Sequence, residues 1–504
     1  MSPSVDCAAL LPYAFAKRFR LANAHSEDTS AARILITADT PPSALLEARR
    51  FLARPVIFET VDVTALNQAL AAIYEHRSGA AQQAVADADA DETLDLNRLA
   101  ELTPVTEDLL EKDDDSPIIR LINAILTEAL RETASDIHIE TFENRVAVRF
   151  RVDGVLRTLL EPQRALANLL VSRIKVMARL DIAEKRLPQD GRLSLRVGNR
   201  EVDVRVSTIP TRHGERVVLR LLEKNASRLD LAVLGMSAPD LHRLQHIIAQ
   251  PHGVILVTGP TGSGKSTTLY AALQSLNDGS RNILTIEDPI EYDVEGVGQT
   301  QVNTKAGMTF ARGLRAILRQ DPDIVMIGEI RDTETAEIAI QASLTGHLVL
   351  STLHTNTAIG AITRLIDMGI EPFLLSSSLA GLVAQRLVRQ LCSACKQAYA
   401  ADAATRRLLH DNRSDAEAEK NPLILHRAHG CEHCYGQGYR GRTGVYEIIT
   451  LDEALRELIH SRAGEQELTR CVRQSSTDIF QDGIEKVKAG ITSVDELLRV
   501  LNAR

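Results

Sequence analysis

The sequence predicts an α/β protein of several domains whose second half is organised around a parallel sheet, and three observations predict it. A chain of 504 residues is too long for one hydrophobic core. Short apolar runs alternate with helix-patterned segments from about residue 251 to 390, which is how strands and crossover helices of a parallel sheet look in sequence. A glycine-rich turn, GPTGSGKS at 259–266, joins the strand-like GVILVT to the helix-like TTLYAALQSL.

Residues 1–82 form a first αβ piece. ARILITAD and RPVIFETVD have strand character, while PPSALLEARRFLA and ALNQALAAIYEH carry helical apolar spacing. Residues 83–115 turn to Ala, Asp and Glu, the composition of a solvated flexible linker; an acidic lure for a basic partner is the alternative. An α+β module spans 116–228. Ser116–Pro117 opens a helix, the runs RVAVRFRVDG, VLRTLL, RLSLRV, EVDVRVSTIP and ERVVLRLLE alternate as strands, and ALANLLVSRIKVMARLDIA reads as a helix among them. The α/β unit follows at 229–390, a cysteine-paired insert at 391–440, and a helical end at 441–504.

Composition narrows the function classes. With no Trp, 3% aromatics and a net charge of −9, the chain lacks stacking platforms and a basic footprint, so nucleic acid is not an expected partner. No apolar run approaches the roughly 20 residues of a membrane helix. The start lacks the pattern of a signal peptide, and Cys7 and Cys471 stand alone, so a reducing, cytoplasmic setting is expected.

The chemistry-bearing segments lie mainly in the α/β unit. Gly259, Pro260, Thr261, Gly262, Ser263, Gly264, Lys265, Ser266 and Thr267 make a complete phosphate loop between strand and helix. Its glycines let backbone N–H groups close on phosphates, Lys265 neutralises their charge, and Ser266 holds Mg²⁺. DIVMIGE ends a buried strand at Glu329, and LTIEDPIEY places Glu287, Asp288 and Glu291 after another. Carboxylates at the carboxyl ends of strands suit metal and water binding, although each alone is often an ordinary turn. His347 and His354 flank a further strand, and a lone His is usually structural.

Cys392, Cys395, Cys431 and Cys434 form two C-x₂-C pairs separated by 35 residues. Two such pairs make a closed tetrahedral Zn²⁺ site with no open position for chemistry, so a structural zinc is favoured over a redox pair. The separation exceeds the usual zinc-ribbon spacing, so the intervening residues must form an arm.

Together, the loop at 259–266, TIEDPIEY at 285–292, DIVMIGEIRDTETAEIA at 323–339 and GHLVLSTLHTN at 346–356 resemble the secretion ATPase superfamily of type II secretion, type IV pilus and conjugation motors. ASDIHIE at 134–140, RLPQDGR at 186–192 and LPYAFAKRF at 11–19 are most similar to the type II secretion branch, the E component of the general secretory pathway. Pilus assembly is the alternative, and nucleotide-binding scaffolds or DNA-pumping motors are competing readings.

The resemblance implies a RecA-like P-loop ATPase domain preceded by a PAS-like α+β domain and an N-terminal docking domain, with a four-cysteine zinc insert and helical C-terminal domain. It implies a homo-hexamer that uses Mg-ATP to assemble a pseudopilus for export of folded proteins. Partners would be the inner-membrane L component, bound by the N-terminal domain, and an inner-membrane platform protein, giving a cytoplasmic protein attached peripherally to the inner membrane. Arg205 and Arg220, which alone would read as salt-bridging residues of a sheet, match arginines brought to the nucleotide phosphates. Arg315, Arg319 and Arg331 match arginines acting at the subunit boundary. Glu287 is preferred for polarising the attacking water, Glu329 is its competitor, and His354 would sense the γ-phosphate.

Overall fold

The computed structural model describes residues 117–197, 200–223, 230–411, 413 and 421–501, the pair 107–108, and from the N-terminal region 11, 16, 19–24, 32–37, 39–52, 55–63, 65–66 and 69. The expected linker, apart from 107–108, most of the expected helix at 65–76, Ser116, Cys7 and part of the insert arm lie outside these residues. The chain divides into two compact units, 1–225 and 226–504. Among the described residues no helix is long and apolar enough to cross a membrane.

In the first unit, β1 (Leu21–Ala24), β2 (Ala32–Ile36) and β3 (Val56–Thr60) form a sheet in that order, with α1 (Pro42–Leu52) making the parallel crossover between β2 and β3. The strand β1 was not legible in its LANA sequence, which lacks β-branched residues. A seven-stranded sheet follows, in the order β4 (Glu107–Asp108), β8 (Gln189–Val197), β9 (Arg200–Thr211), β10 (Gly214–Glu223), β5 (Asp136–Thr141), β6 (Val146–Val152) and β7 (Val155–Leu160). The acidic stretch therefore contributes two residues to this sheet, a departure from the uniform linker expected of 83–115.

Two helices, α2 (Pro117–Arg131) and α3 (Leu166–Met177), share a core with this sheet, in which Ile118, Leu121, Phe150, Leu170, Val204 and Val217 are all buried. The α3 helix stops short of the expected 183. Arg179 adopts φ +57°, and the backbone N–H groups of Arg179 and Leu180 turn back to the Val176 and Lys175 carbonyls, closing the helix end.

The second unit is built on another seven-stranded sheet, ordered β13 (Gly298–Gln301), β12 (Ile283–Glu287), β14 (Ile324–Ile327), β15 (Leu348–Leu353), β11 (Gly253–Thr258), β16 (Leu379–Leu391) and β19 (Tyr439–Thr450). All neighbours are parallel except β16 and β19. Parallel strands buried on both faces read as unbroken apolar runs, as in the fully buried β11, β14 and β15. Between them run α4 (Ala238–Ile248), α5 (Lys265–Leu276), α6 (Phe310–Ile317), α7 (Thr333–Leu344), α8 (Ala358–Asp367) and α9 (Pro372–Ser378).

Beyond β16 the insert supplies β17 (Gln397–Ala400), α10 (Ala403–Leu408) and β18 (Ile424–Arg427), β17 and β18 forming a ribbon. The expected helical end at 441 is corrected at its start. The chain first re-enters the sheet as β19, whose inner half is continuously buried against β16, and becomes helical only at α11 (Glu453–His460), α12 (Glu465–Val472), α13 (Ile479–Lys488) and α14 (Val494–Leu501). Insert and final helices share one core, in which Val388 of β16 meets Leu409, Leu425, Ile484, Val487 and Leu497.

A buried carboxylate fastens α14 to β16. Both oxygens of Glu496, whose side chain is 0% exposed, accept from Arg389 and Arg499 at 2.6–3.1 Å. Burial alone would raise its pKa, yet the two guanidinium groups hold it below the ordinary 4.5. Because the folded value is depressed, the contribution of Glu496 to stability is present above pH 4.5 and is lost as pH falls through its lower folded value. Glu496→Leu is expected to cost about 3 kcal/mol at pH 7 in urea unfolding, by stranding buried guanidinium charge, and to remove part of the acid dependence below pH 4.5.

Candidate functional site

The phosphate loop leaves the carboxyl end of β11, the usual ligand side of a parallel sheet, and feeds α5. Gly264, at φ +86°, stands just before the first residue of α5, a left-handed conformation that glycine takes without steric cost. At Gly262, φ +80°, a Cβ would meet nothing within 4 Å, so the loop backbone is open there to an approaching group. Lys265 is 8% exposed, and its ammonium donates to the Gly259 and Pro260 carbonyls at 2.8 and 3.2 Å. Burial lowers its pKa, and the charge of Glu329 works against that shift.

One cleft of about 370 Å³ gathers much of the expected set: Thr261, Gly262, Ser263, Gly264, Lys265, Ser266, Thr267, Glu287, Glu329 and His354 line it. Asp288 and Glu291 line it as well. The two leading carboxylates differ in how they are held. Glu287, 3% exposed at the end of β12, accepts from Thr285 at 2.6 Å, from Gln299 at 3.1 Å and from the Tyr270 hydroxyl of α5. Burial, and then the bond to Glu287, push the Tyr270 phenol far above its ordinary pKa, so it stays a donor. Glu329, just past β14, is paired instead with Arg331, whose side chain is 63% exposed, and with His354 Nε2 at 3.4 Å.

Tyr270, Thr285 and Gln299 were not singled out in the sequence, where Tyr270 looks like one more apolar residue of a buried helix. His347 carries out the bland role weighed for it: its Nδ1 lies 2.8 Å from the Ala342 carbonyl at the end of α7.

The remaining arginines lie elsewhere. Arg315 of α6 pairs with Glu334, and Arg319, past the end of that helix, donates to the Arg315 carbonyl at 2.8 Å. Arg205 and Arg220 belong to the first unit and stand opposite one another on β9 and β10, with Arg192 opposite Arg205 on β8. All three line a cavity of about 410 Å³, and Arg220 Nε also donates to Asp136 at 2.9 Å. Such a row of guanidinium forks suits an anion with several oxygens. Arg192 sits inside the quoted RLPQDGR motif, but sequence could not show that it shares a face with the other two.

The donor set of the cleft fits a magnesium nucleotide. The Ser263 hydroxyl is buried without a hydrogen-bond partner, next to an open glycine, a buried ammonium and a helix N-terminus. Ser266 in the first turn of α5 and Glu329 across the cleft are the oxygen donors available to the cation.

The four cysteines come together as the pairing suggested. Their sulfurs all lie within 4.8 Å of one another, with Cys392–Cys431 at 3.9 Å, Cys395–Cys434 at 3.8 Å and Cys431–Cys434 at 3.8 Å. A tetrahedral metal about 2.3 Å from each thiolate requires sulfur–sulfur edges of about 3.8 Å. Backbone N–H groups of Gly430, Cys431 and Gly438 point at the Cys395 and Cys434 sulfurs at 3.1–3.3 Å, as thiolate ligands need. Gly438, at φ +74°, provides the tight turn that aims one of them. A redox pair would use two thiols, and here four converge.

Comparison with known proteins places this geometry in a family. A family profile described as "Type II/IV secretion system protein" matches residues 111–499, and a second, for an N-terminal domain of "GSPII protein E", matches 10–74. A protein of Pseudomonas aeruginosa named "Type II secretion system protein E" is 62% identical over 490 residues, covering 97% of this chain and 96% of its own length. One of Vibrio cholerae named "Type II secretion system ATPase E" is 59% identical over 490 residues, with the same coverage. The solved pilus retraction motor PilT with bound ADP superposes with a TM-score of 0.52 at 28% identity, covering 74% of this chain and 95% of its own. The Legionella pneumophila ATPase DotB shares the fold, with a TM-score of 0.56 at 21% identity over 79% of this chain and 97% of its own.

Metal analysis of the purified chain is expected to find about one zinc per chain, as four thiolates in one tetrahedral set imply. Cys392→Ser with Cys395→Ser should abolish it and lower the melting temperature; a folded, metal-free wild type would refute the assignment.

Proposed function

The chain belongs to the type II/IV secretion system protein family, in its type II secretion ATPase branch, and from that premise we propose that it is a Mg-ATP hydrolase working as a homo-hexameric ring. In this reading the ring drives pseudopilus assembly for the export of folded proteins. It is cytoplasmic and is held at the inner membrane by partner proteins. Residues 1–82 dock on the L component, and the ring acts on a platform protein. The observation that carries the reading is the cleft in which the phosphate loop, with its unpartnered Ser263 hydroxyl and buried Lys265, faces Glu287, Glu329 and His354.

The reaction is in-line attack of water on the γ-phosphorus. A bond forms from the water oxygen to phosphorus, the bond from phosphorus to the β–γ bridging oxygen breaks, and the water proton passes to a carboxylate. Lys265 and the loop N–H groups bind the phosphates and oppose the growing negative charge. Bound magnesium would neutralise further phosphate charge from its place at Ser266.

For the proton acceptor we prefer Glu329, reversing the preference drawn from sequence. Glu287 is tied by Tyr270, Thr285 and Gln299 inside the fold, whereas Glu329 is held by partly exposed groups that can move aside. His354, beside Glu329, reports whether a γ-phosphate is present. Arg205 and Arg220 of the α+β module are the arginines that serve nucleotide phosphates, and Arg315, Arg319 and Arg331 act between subunits.

Three measurements test this. Lys265→Ala is expected to abolish ATP hydrolysis, and secretion that survives it would end the motor reading. Glu329→Gln is expected to lower kcat by about 10²-fold or more with nucleotide binding retained, and to do so more severely than Glu287→Gln; the opposite order returns the role to Glu287. Full-length chain is expected to co-purify with the L component from detergent-solubilised inner membrane, and a chain lacking residues 1–82 is not.

A further inference from the structure

We infer that Gln385 is a positioning residue for the phosphate loop: its side-chain amide bridges the loop to the helix that follows it and holds the loop in the shape that receives phosphate. The inference rests on the nucleotide reading of the cleft and names a residue outside its motifs. Gln385 is 1% exposed on β16, the strand beside β11. Val257 and Thr258 pair with Val383 and Ala384, so Gln385 stands one step further, level with Gly259, where the loop begins. Alternate residues of a strand share a face. Val383 packs among Leu269 and Leu273 of α5, which puts Gln385 on the α5 side of the sheet.

The amide is satisfied at both ends, and both ends belong to the loop and its helix. Its Nε2 donates to the Ser263 carbonyl at 2.7 Å. Its Oε1 accepts from the Thr268 hydroxyl, in the first turn of α5, at 2.7 Å. The approach is close enough to account for two glycines of the motif. A Cβ on Gly264 would lie 3.2 Å from the Gln385 Nε2, and one on Gly259 would lie 2.4 Å from the backbone carbonyl oxygen of the same residue. Gly264 therefore makes room for the Gln385 amide, and Gly259 for the backbone of β16 beside it.

A buried glutamine serving only the core could find partners anywhere in the sheet. This one gives its donor to the residue whose own hydroxyl is unpartnered in the cleft, and its acceptor to the helix whose N-terminus faces the same space. The Ser263 carbonyl sets the polarity: it only accepts and so must meet the nitrogen end, and the Thr268 hydroxyl then donates to the oxygen end. Neither an apolar side chain nor a carboxylate can replace the amide. Holding the loop before the nucleotide arrives removes an ordering cost from binding.

The test uses the full-length chain, with Gln385→Leu, Gln385→Glu, Thr268→Val and the Gln385→Leu/Thr268→Val double variant. The readouts are the Kd of Mg-ADP, the KM and kcat for ATP, and the melting temperature. Gln385→Leu is expected to raise the Kd and KM about tenfold, the scale of a buried hydrogen-bond loss, with kcat reduced less. Gln385→Glu should be worse, because its second oxygen opposes the Ser263 carbonyl. The double variant should match Gln385→Leu alone in Kd within about twofold, since both changes reach the loop through one bridge, while loss of the Thr268 contact with Tyr446 shows in the melting temperature. Kd and KM within about twofold of wild type in folded Gln385→Leu, or independent effects that multiply in the double variant, overturn the proposal. If Gln385→Leu does not fold, Thr268→Val decides: a raised Mg-ADP Kd supports the bridge and an unchanged one overturns it. A wild type that binds Mg-ADP without hydrolysing ATP would defeat the hydrolase reading and leave the Kd comparison intact.

Discussion

The second unit hangs on strand β16. Its 13 residues run parallel to the phosphate-loop strand β11 on one side and antiparallel to β19 on the other. Because a strand's backbone bonds fix its register, every side chain on it is placed relative to the loop. Gln385 reaches the loop, Arg389 anchors the last helix through Glu496, and Cys392, immediately after the strand, belongs to the four-sulfur cluster. Gln385 and Cys392 are seven positions apart, about 23 Å of extended chain at ~3.3 Å per residue. A change in the cysteine cluster and a change at the loop thus act on one stiff element.

The cleft shows how burial sorts chemically similar groups. Glu287 ends β12 and Glu329 lies just past β14, both at the carboxyl side of the parallel sheet where ligands bind. The outer of the two strands, β12, leaves Glu287 under α5 and β13, where Tyr270 and Gln299 reach it. The inner strand, β14, brings Glu329 near enough to Lys265 for their charges to interact, and within 3.4 Å of His354 Nε2. The four-cysteine cluster follows the opposite logic. Four sulfurs fill the positions a tetrahedral zinc would offer and leave none for a reacting group, which fits a clamp on an arm whose own ribbon and short helix are small.

Much of this was legible because local pattern and local chemistry agree. The buried parallel strands β11, β14 and β15 declared themselves as unbroken apolar runs, the loop by glycines between a strand and a helix, and the four-sulfur cluster by paired cysteines, whereas the edge strand β13, GQTQ, carried no such signal. Less was legible where a feature depends on pairing at long range. LANA at 21–24 carries no strand signal, yet it pairs with 33–36. The segment after 441 looked helical from its end backwards, and only the partnership with β16 shows that it begins as a strand. Gln385 is a single amide within an apolar run, LAGLVAQRLV, and its meaning depends on residues more than a hundred positions earlier.

From the order of residues alone came the family, the α/β architecture, the phosphate loop, the acidic strand ends and the four-sulfur knot, because each is written in contiguous residues whose spacing carries the chemistry. The fold added which of two carboxylates is tied down, that three arginines share one cavity, and that a buried glutamine holds the loop. These are matters of register and burial. They arise when strands distant in sequence lie about 4.8 Å apart, and no local pattern encodes that distance.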